Sequence, residues 1–282
     1  AADRIVTAIA ENEPVVIYGD YDVDGITSTA LLYSFLKSHG ANAEYYIPDR
    51  KKDGYGINIM AVNRLARKGI KLMITVDCGI TAVGEIEFAK TQGMEVIVTD
   101  HHTCKEDLPR AAAVINPKIP DSGYPFDGLA GVGVAFKLVL ALAVRMGLNT
   151  KEVFMQYAEL AAVGTIADVV PLVDENRIIV DKGIMSARQT KNKGIRALIE
   201  VSGINRTALS AMNVAFTIAP RLNVAGRLES ADTAVRLLIE EDYDKALEIA
   251  RHLNSLNAER QRIELEIFNK AMRQAESFGE NE

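Results

Sequence analysis

Short apolar runs alternate with stretches of helical spacing over the first half of the chain. Val15–Tyr18 and Leu72–Val76 are apolar along nearly their whole length and Glu95–Thr99 through its centre, as strands covered on both faces are. Residues 26–38 and 57–68 carry the helical period and stop at Gly40 and Gly69. A further helix is predicted over 82–91. Shorter strands are predicted at 43–47 and 111–115, the last closed by Asn116-Pro117, with a loop at 48–56. The βαβα order predicts an α/β fold: a mostly parallel sheet with helices on both faces.

After about Gly128 the pattern becomes helical, with candidates at 134–146, 152–166, 195–201 and 231–240. Residues 243–274 read as one long helix, its apolar positions Leu247, Ala250, Leu253, Leu256, Ile263, Ile267 and Ala271 falling near the helical period. The expected division is a domain at 1–240, then a connecting helix at 241–282 running towards a second domain outside this chain. The first residues are Ala-Ala rather than Met, which fits a piece of a longer protein.

Composition changes this picture little. With 282 residues, 48% of them apolar, the chain can bury a large core. No apolar run reaches membrane-spanning length, and no signal peptide is visible. The two cysteines, Cys78 and Cys104, lack metal or redox spacing, as expected in a reducing cytoplasm. Cys78 is expected to be a small packed residue. The net charge of −6 disfavours a nucleic acid partner when taken alone. Acids that belong to a metal site do not count in that way, because the cation inverts the local sign.

The chemistry lies just after the strands. Asp20-x-Asp22-x-Asp24-Gly25 follows the first apolar run, Asp77 follows the second and Asp100-His101-His102 the third. The triple-acid run imitates the opening of a calcium-binding EF-hand loop. Its twelfth position is Leu31 rather than Glu, and a strand precedes it, so that reading fails. A solvated acidic turn would leave three carboxylates in five residues repelling one another. In open parallel sheets functional groups gather outside the carboxyl ends of the strands. Carboxylates with imidazole suit Mn²⁺ or Mg²⁺. Adjacent histidines project differently, so one can bind metal while the other faces substrate. Asp168 ends an apolar stretch, where a buried charge needs a partner such as a metal.

Other signals are weaker. Gly131-x-Gly133 lacks the third glycine of a dinucleotide fingerprint and reads as the tight start of a helix. No phosphate-loop sequence and no Ser/His/Asp arrangement stands out. Arg50, Arg221 and Arg227 are expected in loops punctuated by Gly and Pro, and are candidates for bidentate phosphate contact.

Gly-Asp-Tyr-Asp-Val-Asp-Gly at 19–25, Val-Asp-Cys-Gly-Ile at 76–80, Thr-Asp-His-His at 99–102 and Gly-Thr-Ile-Ala-Asp-Val-Val-Pro-Leu at 164–172 resemble the motifs of the DHH phosphoesterase family. The Pro-Arg-Leu-Asn-Val-Ala-Gly-Arg segment at 220–227 resembles its single-strand-specific 5′→3′ DNA exonucleases. The resemblance spans nearly the whole chain. It implies that Asp22, Asp24, Asp77, His101 and Asp168 hold one or two Mn²⁺ or Mg²⁺ ions, Asp77 bridging if two bind. Catalytic roles fall to His102, facing the scissile phosphate, and to Asp100, with Asp20 a ligand or the neighbour of one. Arg50, Arg221 and Arg227 would hold phosphate. Tyr18 stands where some members carry a metal-binding His. The family's second domain and an OB-type domain are expected to lie outside this chain. The implied activity releases 5′-mononucleotides from single-stranded DNA in repair and recombination, by a cytoplasmic monomer working with a single-strand-binding protein and a helicase. The alternatives are a member acting on short oligonucleotides or cyclic dinucleotides, or a non-catalytic DNA-binding scaffold.

Overall fold

The computed structural model of the chain describes residues 1–50, 54, 56–120 and 122–279. Five strands, β1 (Val15–Tyr18), β2 (Ala43–Tyr46), β3 (Leu72–Val76), β4 (Glu95–Thr99) and β5 (Ala113–Ile115), form one sheet in the order β2-β1-β3-β4-β5. Every pairing is parallel. Part of the predicted loop at 48–56 lies outside the described residues.

Side chains alternate across the strands, so one strand feeds two cores. Ile17, Ile74 and Ile97 join the larger core with α1 (Ala2–Ala10), α2 (Val23–Ser38), α5 (Gly131–Arg145) and α6 (Thr150–Ala167). Val16, Met73 and Val98 join the smaller one with α3 (Ile59–Arg67) and α4 (Val83–Thr91). Cys78 packs in this smaller core, as expected of it. Helix α2 starts three residues earlier than predicted. Asp22 caps it by accepting a hydrogen bond from the Gly25 amide at 3.0 Å, which draws the acidic motif into the first turn.

The second half is helical, as its overall pattern predicted, and contains α7 (Asp174–Ala187), α8 (Lys193–Val201), α9 (Ala211–Asn213), a π-helical turn at Val214–Ile218, α10 (Ala219–Leu228), α11 (Asp232–Ile239) and α12 (Tyr243–Gly279), of which α8, α11 and α12 match individual candidates. The pattern had not indicated α1, α7, α9 or α10. In α7 the interruption is Gly183, where a Cβ would come within 2.3 Å of the Ala158 carbonyl oxygen. The glycine is there for close packing on α6, not to end a helix. Helix α12 docks through Ala246, Ala250 and Leu253, all fully buried, and reaches Asn257 at 3% exposure. Beyond that it leaves Leu265 and Phe268 each 60% exposed.

The strand order changes direction between β1 and β3, which opens a crevice at their carboxyl ends. The acids that follow β1 and β3 flank it.

Candidate metal centre

Register alone aligns the acids. Tyr18 pairs with Thr75 and Thr75 with Val98, while Val76 pairs with Thr99. Continuing one residue beyond β3 and β4 sets Asp77 beside Asp100, and two beyond β1 adds Asp20 to the row. The chain leaves β3 with Asp77 in the left-handed region at φ 59°, which turns its carboxylate into the crevice at 2% exposure.

Asp24 comes from the first turn of α2 and is also buried. Its two oxygens accept hydrogen bonds from the Gly131 and Val132 amides at 2.7 Å each, so it sits on the N-terminus of α5. A Cβ at Gly131 would lie 2.4 Å from Asp77 Oδ1, and one at Gly164 would lie 3.1 Å from Asp24 Oδ1. Both glycines leave room for the carboxylates. Asp168 is the C-terminal cap of α6. The next residue, Val169, takes φ 62° at 86% exposure, a conformation rare for a β-branched side chain.

Burial and mutual repulsion raise these carboxyls. Asp20 is pushed up to about 7 by desolvation and by Asp22. Asp168 rises to about 6 for the same two reasons. Asp24 and Asp77 stand well above the usual carboxylate range, first through burial and then through Asp168 and Asp24 respectively.

The two histidines differ in burial and in the direction of their pKa shifts. His101 Nε2 lies 3.2 Å from Asp77 Oδ1 and 3.7 Å from Asp24 Oδ2, and its Nδ1 lies 3.7 Å from Asp168 Oδ2. Burial, then His102, lowers its pKa to about 4, so at neutral pH the ring is uncharged and able to donate a lone pair. His102 has a side chain 43% exposed, and its Nδ1 lies 2.7 Å from Asp100 Oδ1. That hydrogen bond raises its pKa. Asp100 Oδ1 also accepts from the His101 and His102 amides, and its Oδ2 accepts from the Ile80 amide at 2.8 Å. Burial works against the Asp100 charge, but these bonds, led by that from His102, hold its pKa below the ordinary value. Asp100 therefore orients the histidine turn, and its acceptor capacity is largely committed.

The donor set fits a divalent cation. Three trios each place ligand atoms within 4.8 Å of one another: Asp24 with His101 and Asp168, Asp77 with His101 and His102, and Asp20 with Asp22 and Asp77. The second trio shares His101 with the first and Asp77 with the last, so the three form one continuous donor set. Buried oxygens of Asp20, Asp77 and Asp168 have no hydrogen-bond partner. Orphaned carboxylate oxygens at this density are what a cation satisfies. Tyr18 takes no part: its hydroxyl donates to the Gly56 carbonyl at 3.1 Å.

The arginines separate. Arg50 places its guanidinium 5.3 Å from the ring of Tyr21, beside the acidic motif. Arg227 lines a groove of about 530 Å³ that runs from Asp22, Asp24 and Asp168 to Arg260. Arg221 does not line it. Its Nε donates to Asn254 on α12 at 2.8 Å and its Nη1 to the Thr217 carbonyl at 2.6 Å. Val169, Met212 and Phe216 form the groove's apolar wall, Phe216 being 72% exposed on the π-helical turn. Sequence reasoning missed this wall, Arg260 and the α5 amides. Backbone donors carry no residue signal, and only the two glycines in the first turn of α5, Gly131 and Gly133, hinted at them.

A model of the DHH family, N-terminal domain, matches residues 14–165. The chain is 46% identical over 279 residues to the single-stranded-DNA-specific exonuclease RecJ of Bacillus subtilis (strain 168), covering 99% of this chain and 35% of that protein. It is 40% identical over 276 residues to the RecJ of Escherichia coli (strain K12), covering 94% of this chain and 48% of that one. The crystal structure of exonuclease RecJ bound to manganese matches with a TM-score of 0.89 at 39% identity, covering 97% of this chain and 68% of that one. RecJ in complex with Mn²⁺ from Thermus thermophilus gives 0.86 at 38% identity, covering 97% and 39%. The chain thus spans 35% and 48% of the two curated relatives.

Proposed function

We propose that this chain, which belongs to the DHH family, is the hydrolytic part of a metal-dependent exonuclease that digests single-stranded DNA from its 5′ end. One observation carries the reading: three overlapping trios of Asp and His converge at the sheet's switch point, where buried oxygens of Asp20, Asp77 and Asp168 lack a hydrogen-bond partner. The residues that would hold Mn²⁺ or Mg²⁺ are Asp24, His101 and Asp168 on one side and Asp20, Asp22 and Asp77 on the other. A bound cation there supplies positive charge to the phosphoryl oxygens and makes an attacking water more acidic.

The chain's own groups do the rest. His102, oriented and charged more readily because of Asp100, offers an N–H to a phosphate oxygen at the mouth of the site. Arg227 extends positive charge along the groove, and Arg50 adds it on the side of Tyr21. The apolar wall with Phe216 offers a surface on which bases can stack. The buried floor of the site excludes water from the acids, which strengthens every charge interaction within it.

The 241–282 segment serves as a connecting helix towards a second domain. The exposed Leu265 and Phe268 on its far half, and the greater length of the relatives, support that division. We place the enzyme in the cytoplasm as a monomer, in DNA repair and recombination with a single-strand-binding protein and a helicase; among the described residues no helix is long and apolar enough to cross a membrane. The test uses Mn²⁺ and single strands labelled at the 5′ or 3′ end. The 5′ label should appear at once as mononucleotide, and the 3′ label only after the strand has been shortened. Digestion from the 3′ end, or cutting within the strand, would refute the polarity.

A further inference from the structure

We propose that Asn116 is a positioning residue for His102, holding the far end of the Asp100–His101–His102 turn in place. The inference rests on the reading of His102 as the phosphate-facing group. Asp100 fixes the near end of the turn through the two histidine amides. The far end is the His102 carbonyl, which accepts a hydrogen bond from Asn116 Nδ2 at 2.9 Å. The Asn116 side-chain oxygen accepts in turn from the Lys118 amide at 2.8 Å. Both ends of one amide are therefore used, and its orientation is fixed.

The placement explains why an asparagine is needed. Asn116 follows β5 and is 4% exposed. Its neighbour Ile115 accepts from the Asp100 amide at 3.0 Å, so the sheet itself sets the distance between the two segments. The Lys118 contact is an Asx-turn, which stiffens the loop that carries the donor. A partly exposed imidazole at a cleft mouth has several rotamers available. Holding its backbone at both ends leaves the hydrogen bond between His102 and Asp100 to choose one.

The test is a double-mutant cycle on the Mn²⁺-loaded protein with a 5′-labelled single strand. Asn116→Ser keeps the turn with the Lys118 amide but is too short to reach the His102 carbonyl. It should lower kcat by about 10- to 100-fold, as loss of outer partners at such sites does, with KM and Mn²⁺ affinity little changed. In a His102→Ala background the same substitution should have no further effect, because its influence passes through the missing ring. Unchanged kcat, equal losses in both backgrounds, or loss of cooperative unfolding in Asn116→Ser would each overturn the proposal. Full activity of His102→Ala would instead overturn the underlying reading, and the proposal with it.

Discussion

Asp77 Oδ1 lies 3.2 Å from His101 Nε2, and the two come from loops leaving neighbouring strands. Neither residue is more than 7% exposed. The ring is uncharged at neutral pH, so this approach is not an ion pair. Asp77 Oδ1 has no hydrogen-bond partner, and the pair belongs to a trio that could hold a metal ion.

Metal binding should be strongly pH-dependent. Asp20 and Asp168 have folded pKa values of about 7 and about 6, against 3.8 for an ordinary Asp. Raised carboxyls stabilise the metal-free protein fully only below the unfolded value, and that stability is lost as pH rises through about 6 to 7. His101, depressed to about 4, acts in the opposite sense: its stabilisation is present above about 6.5 and is lost as pH falls towards 4. Mn²⁺ competes with the carboxyl protons, so its apparent Kd should fall about tenfold per pH unit between about pH 5 and pH 7. The increase of Tm on adding Mn²⁺ should grow over the same range. A Tm increase independent of pH would contradict the coupling.

Gly131→Ala should disturb the metal without touching a ligand. The new Cβ would lie 2.4 Å from Asp77 Oδ1 and 2.7 Å from its Cβ, so the carboxylate must move. Mn²⁺ affinity measured by calorimetry should fall by about 10- to 100-fold. Helicity should be retained, since Ala suits a helix better than Gly. Unchanged affinity would mean that Asp77 does not sit where the site needs it.

Arg221 and Arg227 should differ. Arg221→Ala removes a charged donor from Thr217 and Asn254 and should cost about 1–3 kcal/mol of stability, with little effect on the salt dependence of DNA binding. Arg227→Ala should leave Tm nearly unchanged and flatten the slope of log K against log salt by about 0.7. Thermal unfolding and fluorescence anisotropy with a labelled single strand check both. The reverse pattern would return Arg221 to the phosphate and make Arg227 incidental.

The acids were legible because each follows an apolar run, and the parallel register turns that repetition in sequence into a row in space. The helical second half was legible from its period, except where packing needs small residues, as Gly183 in α7 shows. What was not legible depends on backbone. The α5 amides that hold Asp24 and the left-handed turn at Val169 are set by tertiary contacts that no side-chain pattern encodes. Arg221 shows the converse. A guanidinium in a Gly- and Pro-punctuated loop suits phosphate, but the segment is helix α10, where part of the Arg221 donor set bonds the Thr217 carbonyl one turn back and Asn254 on α12.

Hydrolysis by the protein and by Asp77→Asn, compared on a 5′-labelled single strand in Mn²⁺, tests the metal reading most directly. The substitution keeps size and shape but removes the charge of the carboxylate that belongs to two of the three ligand trios. The unaltered protein should release labelled mononucleotide. Asp77→Asn should be at least about 1,000-fold slower, as expected when a metal's charge stabilisation of several kcal/mol is lost, with its circular dichroism spectrum intact. Mononucleotide release by Asp77→Asn at a rate near that of the unaltered protein would contradict a metal centre built on this carboxylate.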